Sequence, residues 1–476
     1  MGLYTKLPEA IDEADVIIAG GGTSACVVAA RLADADNKLS ILLIEGGPNN
    51  EMPTIEYPAL FMAHLAPDSK TNLFYMSKKS PEVADRMLVL LTGGNAPGWS
   101  ADEMLPYLKK LETYHGKDGK GVHGHDGPIH VSRGTYSSPR IDSEAITVAN
   151  KLGLSEVEDL SDLESVNAVW RAKRFISPEG KRQDAASCYL HPRLQDGKHP
   201  NLHVLVESQV TLEFRSTPAF HSGGVDQPLR SVKAKRLVVA SCGACGTPSL
   251  LERSGIGGAK VLERAGVPVA VDLPGVGDGY EDHHLLGYPY LNALVPSDTL
   301  DGLILGRMGK FKDHPDKPLG IINVIGGFPG DPRLATDDPV DFETGFFADS
   351  GQLDVKKHVW LYKKQREIIR RMASYRDEMA QCHPPFATES NAALVTLDNG
   401  PLPADVADIV YTAEDDAMLP RDQKGVLDPS LSVYGVSGLK IADLSIAPHN
   451  VAANTNNTAL AVGEKAADIF IKELGL

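Results

Sequence analysis

The residues of this sequence most suited to chemistry are a glycine triplet and an acid near its start. Gly20-x-Gly22-x-x-Ala25 directly follows the apolar run Asp15–Ala19. The first glycine permits a tight strand-to-helix turn, and the second lets the backbone approach a pyrophosphate, which the N-terminus of the next helix stabilises. Glu45 ends the following apolar run, where a carboxylate can accept hydrogen bonds from ribose hydroxyls. The pattern predicts a dinucleotide site, and the alternative is an ordinary glycine-rich turn.

Two other motifs contain metal-binding residue types but lack the spacing of a complete site. Cys242 and Cys245 form one CxxC pair without the second pair that a zinc site needs. His283 and His284 are adjacent, with no further ligands at a suitable spacing. We therefore expect no metal. The chain has 5 cysteines, too few and too scattered for a disulfide framework.

Length, charge and hydropathy limit the class of protein. A chain of 476 residues predicts two intertwined domains or one large α/β domain with insertions. The net charge of −16 disfavours nucleic acid or an anionic membrane as a partner. Apolar runs such as Met87–Leu91 are far shorter than the ~18 residues of a membrane span. Because Met1–Asp15 lacks the features of a secretory signal, we expect a soluble intracellular protein, cytoplasmic or peroxisomal.

Alternating strands and helices are predicted around the glycine triplet. Asp15–Ala19 and Leu39–Ile44 are expected as buried parallel strands, with the small-residue helix Ser24–Ala33 between them, which makes a complete βαβ unit. Later strands are expected at Leu202–Val206, Arg236–Ala240 and Leu439–Ala442. The alternation predicts one nucleotide-binding domain built from separated segments, with a second domain inserted between them.

A helix is expected from Ala101 to about Thr113. Ser100 is a suitable N-cap residue, and Glu103 completes a capping box. The other predicted elements are a charged helix at 354–372, a final helix at 459–474 and a glycine-rich turn at 243–246.

Several blocks resemble the glucose–methanol–choline (GMC) oxidoreductases. The second signature of that family is matched, position by position, by Gly243-Ala-Cys-Gly-Thr-Pro-Ser-Leu-Leu-Glu-Arg-Ser-Gly-Ile-Gly257. Leu273-Pro-Gly-Val-Gly-Asp is similar to a further family block, and the stretch from Asp443 to Asn454 resembles most the alcohol (methanol) oxidase branch. The resemblance extends in blocks from residue 14 to residue 475.

The resemblance implies an α/β fold with a discontinuous Rossmann-like FAD-binding domain and an inserted α+β substrate domain. Residues 12–60, 201–284 and 428–476 are expected to form the FAD-binding domain. Residues 61–200 and 285–427 are expected to form the lid and substrate domain.

Residue roles follow from the same resemblance. The positions implied for the FAD pyrophosphate are Gly20, Gly22, Thr23 and Ser24. Glu45 would hold the adenosine ribose, and the backbone of Val210 would meet the adenine.

At the flavin end, the resemblance implies three further residues. Asp443 occupies the position of an acid near the phosphate and ribityl chain, with a helix-capping acid as the alternative. Asn454 and Thr455 would bind the flavin, and Asn454 would also face the reacting alcohol near flavin N5. For Asn454 the alternative is a turn residue.

Two family motifs are missing. The family carries a Gly-Gly-Ser-Ser-x-x-Asn loop over the flavin, whereas here Thr92-Gly-Gly-Asn95 runs straight into Pro97-Gly-Trp-Ser100. The family also places a catalytic histidine in a His-x-x-Gly-Thr motif before a segment that corresponds to Met418–Arg421, and the matching position is Tyr411. Either the chemistry of this homologue is altered, or its gene prediction skipped coding segments.

The expected function is an FAD-dependent oxidoreductase that acts on the CH-OH group of alcohols, with a small alcohol as substrate and O₂ as acceptor. Loss of the catalytic histidine is expected to impair it, because Asn454 can donate a hydrogen bond but cannot act as a base. The alternatives are a non-catalytic flavin-binding homologue and an NAD-dependent dehydrogenase, which shares only the first fingerprint. The identity of the alcohol and a homo-oligomeric state stay open.

Overall fold

The computed structural model describes residues 2–65, 69–71, 99–135, 139–213, 217–222, 229–281, 283, 287–288, 290–292, 302–310, 318–325, 347, 349, 351–379, 383–384, 424–447 and 454–476.

The strands are β1 Gly2–Tyr4, β2 Glu13–Ala19, β3 Ile41–Ile44, β4 Glu112–Tyr114, β5 Ile129–Val131, β6 Ser155–Glu156, β7 Ala168–Val169, β8 Leu202–Leu205, β9 Ser208–Glu213, β10 Thr217–Ser222, β11 Leu229–Ser231, β12 Lys233–Ala240, β13 Ile256–Gly257, β14 Val271–Asp272, β15 Tyr290–Asn292, β16 Gly302–Lys310, β17 Pro318–Ile325, β18 Tyr375–Glu378 and β19 Leu439–Ile441.

The α-helices are α1 Thr23–Ala35, α2 Pro53–Glu56, α3 Ala101–Leu111, α4 Pro139–Lys151, α5 His191–Gln195, α6 Gly243–Arg253, α7 Ala259–Arg264, α8 Leu353–Arg370 and α9 Asn456–Leu474. Short 3₁₀ segments lie at Pro58–Leu65 and Leu444–Ile446, and a π-helical turn lies at Ala186–Leu190.

Six strands form one parallel sheet in the order β1-β8-β3-β2-β12-β19. The strand β3 is buried along its whole length and β2 along most of it, as expected when helices cover both faces of a parallel sheet. The sheet joins strands from three separated parts of the chain. Their carboxyl ends meet at one edge, where ligands bind in open α/β folds. The predicted α/β class with a Rossmann-like sheet is confirmed.

Helices α1 and α9 pack against each other at this edge. A Cβ added to Gly463 of α9 would lie 2.8 Å from the carbonyl oxygen of Ser24 and 2.8 Å from Cβ of Val27. Only glycine permits so close an approach without displacing a neighbour. The two helices begin side by side for this reason.

The core around the sheet includes side chains from outside the predicted FAD-binding segments. Trp99 and Tyr189, both within 61–200, pack into it. A separate apolar cluster between α4 and α8 includes Ile146 and Ile368. Residues that share one core belong to one folding unit. We therefore propose that the parts of 61–200 around these two aromatic residues belong with the FAD-binding unit.

The capping box predicted at the start of α3 is confirmed. Ser100 Oγ accepts a hydrogen bond from the Glu103 amide at 3.4 Å, and the Glu103 carboxylate accepts one from the Ser100 amide at 3.1 Å. The helix ends at Leu111, two residues before the expected Thr113.

The glycine-rich turn predicted at residues 243–246 is wrong, because these residues form the first turn of α6. The Gly243 amide donates to the Asp443 carboxylate at 2.9 Å. A partner 200 residues away thus caps the helix. The local sequence holds no sign of this partner.

Candidate functional site

The glycine loop between β2 and α1 lies at the carboxyl edge of the sheet. Gly20 has a φ of +96°, and a Cβ there would lie 2.2 Å from the Ser241 carbonyl oxygen. Both facts require glycine. Gly22 is the N-cap of α1, and neither a side-chain cap nor an acid occupies the first turn. The first amides of α1 are therefore available to an anion.

Glu45 faces the glycine loop from the end of β3. Its carboxylate accepts hydrogen bonds from the amides of Gly21 and Gly47, each at 2.6 Å. The backbone carbonyl of the same residue accepts from Ser208 at 2.9 Å. These contacts fix the acid beside the loop, and its bond to a ribose stays a prediction.

Thr23 and Ser24 join the start of α1 to the start of α9. Thr23 Oγ1 donates to Oδ1 of Asn456 at 3.3 Å, and the buried Ser24 Oγ donates to the Ala459 carbonyl at 2.7 Å. The chain separation is more than 430 residues in both pairs. Two helix N-termini therefore meet, and their dipoles favour negative charge at the same place.

The start of α9 contains buried polar atoms that have no partner within the described part of the chain. Thr455, the N-cap residue, is 1% exposed, and its Oγ1 accepts or donates no hydrogen bond. Oδ1 of Asn457 is also buried without a partner. Such atoms are rare because each costs the desolvation of a polar group. A ligand with polar atoms bound at this place would satisfy them.

Asp443 is buried behind the site and caps α6. One carboxylate oxygen accepts from the Gly243 amide at 2.9 Å and from Thr247 Oγ1 at 2.6 Å, and the other accepts from the Ser445 amide at 2.8 Å. The helix-capping role, which the sequence left as the alternative, is thus present, and a contact with the flavin stays a prediction. Thr247 lies within the stretch that resembles the family signature, and the sequence alone indicated no role for it.

The remaining predicted residues lie around this edge. Val210 is on β9, opposite Phe220 of β10, and is packed against the core of the sheet. Asn454 is exposed and directly precedes Thr455. The neighbouring His449, the segment Thr92–Asn95 and the Tyr411–Arg421 region lie outside the described residues.

Two cysteine thiols flank the glycine loop. Cys242 Sγ donates to the Ala19 carbonyl and Cys26 Sγ to the Gly21 carbonyl, each at 3.2 Å. Burial raises the pKa of the Cys242 thiol to about 12 and raises the pKa of Cys26 as well. Both therefore stay protonated and unreactive. In the part of the chain that the structure describes, no group of three or more His, Cys, Asp or Glu side chains could hold a metal ion.

Among the described residues, no helix has both the length and the apolar character needed to cross a membrane.

Comparisons with known proteins agree with this geometry. Sequence models described as GMC oxidoreductase match residues 92–285 and 333–463. The chain is 31% identical to an alcohol oxidase of Pichia angusta and 30% identical to one of Candida boidinii, over 98% of this chain and 96% of each relative. The first alignment extends over 637 positions, so the relative is longer than this chain of 476 residues.

Solved structures share the fold. An FAD-dependent oxidoreductase from Chaetomium thermophilum has a TM-score of 0.73 at 20% identity and covers 98% of this chain and 100% of its own. A pyridoxine 4-oxidase from Mesorbium loti has a TM-score of 0.73 at 20% identity, with coverage of 96% and 99%.

FAD fits the residues that the structure describes. The tight glycine loop and the uncapped start of α1 suit a pyrophosphate. The Thr455 hydroxyl at the start of α9, which has no partner among the described residues, would suit a polar contact with a second part of the same ligand. The protein is an FAD-dependent oxidoreductase, and the chain belongs to the GMC oxidoreductase family.

Proposed function

We propose that this protein oxidises small primary alcohols and uses O₂ as the electron acceptor. The observation that supports this most is that Thr23 and Ser24 join the start of α1 to the start of α9, the two elements proposed to hold the pyrophosphate and the flavin. The alcohol oxidases at about 30% identity support the choice of substrate and acceptor.

In the proposed site, different elements of the fold contact different parts of FAD. The start of α1 holds the pyrophosphate, Glu45 the adenosine ribose, and the backbone of Val210 the adenine. Thr455 and the start of α9 contact the flavin, while Asp443 acts through α6. Bound FAD would supply the acceptor for the hydride that leaves the alcohol carbon.

Asn454 is proposed to orient the alcohol. Its amide donates a hydrogen bond to the alcohol oxygen and stabilises the negative charge that develops there. An amide cannot remove the hydroxyl proton. In this chain the histidine motif is replaced at Tyr411, so the proton has no base at that position and the rate falls by about 10²–10⁴-fold relative to a protein with a positioned base.

A non-catalytic flavin-binding homologue is the second candidate. The missing histidine motif favours it, and so does the greater length of the alcohol oxidase relatives. The two candidates share the FAD site and differ only in turnover.

The first test is the absorption spectrum of the purified protein, which reports bound flavin directly. The second is H₂O₂ release and anaerobic flavin bleaching with methanol, ethanol and benzyl alcohol. Slow turnover that rises when a His-x-x-Gly-Thr segment is inserted before Met418 supports the oxidase. Bound flavin that no alcohol bleaches, with or without the insertion, supports the non-catalytic homologue.

His449→Ala tests whether a neighbouring histidine has replaced the missing base. A further loss of turnover in this variant, with flavin retained, would assign the proton transfer to His449. Unchanged turnover would leave Asn454 as the residue that faces the alcohol.

A further inference from the structure

The turn after β12, residues 241–243, forms the wall behind the glycine loop. A Cβ on Gly20 would lie 2.2 Å from the Ser241 carbonyl oxygen, so the two backbones are in close contact. The Ser241 amide donates to the Ala19 carbonyl at 2.7 Å, and its hydroxyl donates to the Ala442 carbonyl at 2.6 Å. The position of this turn therefore sets the position of Gly20.

Thr247 holds the same turn from inside α6. Its side chain is fully buried. The hydroxyl accepts a hydrogen bond from the Cys242 amide at 3.0 Å and donates one to the Asp443 carboxylate at 2.6 Å. That carboxylate also accepts from the Gly243 amide at 2.9 Å. Two consecutive amides of the turn are thus bound by one pair of side chains.

The hydroxyl is the only part of Thr247 that can do this. A methyl group in its place leaves the Cys242 amide without its acceptor and removes the short bond to a carboxylate that is only 5% exposed. Hydrogen bonds to a charged group are stronger than those between neutral groups. Loss of the hydroxyl therefore loosens the turn, and with it the backbone that Gly20 packs against.

We propose that Thr247 is a positioning residue for FAD. Its hydroxyl locks the turn 241–243 to Asp443 and so fixes, through Ser241, the glycine loop that receives the pyrophosphate. The residue acts at a distance from the cofactor and controls its retention. This role concerns FAD binding and is independent of which alcohol, if any, the protein oxidises.

The test compares Thr247→Val, which keeps the shape without the hydroxyl, with Thr247→Ser, which keeps the hydroxyl. FAD is removed from each purified protein, and the dissociation constant is measured by the quenching of flavin fluorescence on reconstitution. The melting temperature of each FAD-free protein is measured in parallel. Ser254→Ala is the matched control, because Ser254 is also buried, directly follows α6 and donates to the Leu250 carbonyl at 2.7 Å.

The valine variant is expected to raise the dissociation constant for FAD about tenfold, the serine variant to stay within about twofold of the parent, and the control to leave it unchanged. If the valine variant binds FAD as tightly as the parent, the proposal is wrong. It is also wrong if the serine variant loses as much affinity as the valine variant, because packing rather than the hydroxyl would then be responsible.

Thr247→Ala is the substitute if the valine variant does not fold. The same loss of FAD affinity, restored by serine, supports the proposal, and parental affinity overturns it. An independent check combines Thr247→Val with Asp443→Asn. Thr247 and Asp443 act through one hydrogen bond. The proposal therefore requires the dissociation constant for FAD to rise less in the double variant than the product of the two single-variant fold-changes.

Discussion

Two buried polar side chains in this molecule, His123 and Thr455, differ in whether their polar atoms have hydrogen-bond partners among the described residues. Around His123 both ring nitrogens are paired, with Glu112 Oε1 and Asp159 Oδ2 each at 2.7 Å, and the ring stacks on Tyr114 at 3.6 Å. Among the described residues, the buried hydroxyl of Thr455 at the start of α9 has no partner. The protein itself thus pairs both ring nitrogens of His123, whereas we propose that a ligand pairs the Thr455 hydroxyl.

The difference separates residues that serve stability from residues that serve binding. A satisfied buried network stabilises the folded chain by itself, so its loss lowers the free energy of unfolding. An unsatisfied group costs free energy in the absence of a ligand and returns it on binding. A substitution of His123 is therefore expected to lower the free energy of unfolding. A substitution of Thr455 is expected to raise the stability of the FAD-free protein and to weaken FAD binding.

The largest effect is expected for His123→Gln. Glu112 and Asp159 then lie buried without the imidazolium between them, which costs about 3–5 kcal/mol of unfolding free energy. Urea denaturation followed by circular dichroism measures it. The dissociation constant for FAD should stay within about twofold of the parent. The control is His115→Gln. His115 is exposed, so its replacement should change the free energy of unfolding by no more than about 0.5 kcal/mol. An equal loss in both variants would contradict the comparison.

Among these substitutions, Glu45→Arg is expected to have the largest effect on the affinity for FAD. The change removes the acceptor of the Gly21 and Gly47 amides and places a cation beside the glycine loop. We expect the dissociation constant for FAD to rise about a hundredfold, because two hydrogen bonds to a charged group are lost. Fluorescence titration of the FAD-free protein checks it. Parental affinity would show that Glu45 has no part in binding FAD.

The pH dependence of stability tests whether the His123 ring is charged in the folded protein. Burial opposes the charged ring, but the hydrogen bonds to Asp159 and Glu112 prevail and raise the pKa of His123 to about 9. The folded pKa is above the unfolded value near 6.5, so this stabilisation is complete below about pH 6.5 and is lost as the pH rises through about 9.

The difference in melting temperature between the parent and His123→Gln should therefore shrink by most of its value between pH 6 and pH 10. Glu45→Arg, measured over the same range, should keep a constant difference from the parent. A difference for His123→Gln that does not change with pH would show that the ring is neutral in the folded protein.

Thr455→Val should have the smallest effect, with opposite signs for stability and binding. Removing an unsatisfied hydroxyl is expected to stabilise the FAD-free protein by up to about 1 kcal/mol. FAD affinity should fall about tenfold, because the ligand loses a partner. Thr455→Ser keeps the hydroxyl and should bind as the parent does. A valine variant that is less stable without FAD would mean that the hydroxyl already has a partner in the protein.

Local patterns in the sequence predicted the elements around the glycine loop well. The βαβ unit from Glu13 to Ile44 and the capping box of Ser100 depend on residues close together in the chain, and both were predicted near their observed bounds. The spacing of the glycines also predicted where α1 begins, because a turn and the helix after it depend on neighbouring residues.

Contacts between distant residues could not be predicted in this way. The start of α6 depends on Asp443, and the buried position of Thr247 depends on the same residue. Trp99 and Tyr189 pack into the core around the parallel sheet. No local sequence pattern indicates which core a side chain enters, so their place in the FAD-binding unit could not be predicted. The family resemblance supplied the roles of Asn454 and Thr455, but the missing partner of the Thr455 hydroxyl is visible only in three dimensions.

The pairing of α1 with α9 has a consequence for protein synthesis. Thr23 and its partner Asn456 are separated by 433 positions in the chain. When α1 emerges from the ribosome, its face that includes Ser24 and Val27 has no α9 to cover it, and β2 lacks the later strand β12 on one side. The nascent chain must keep this surface from aggregating until residues 456–474 are made. If the start of α9 belongs to the FAD site as proposed, we expect FAD to be captured only late in translation or after it.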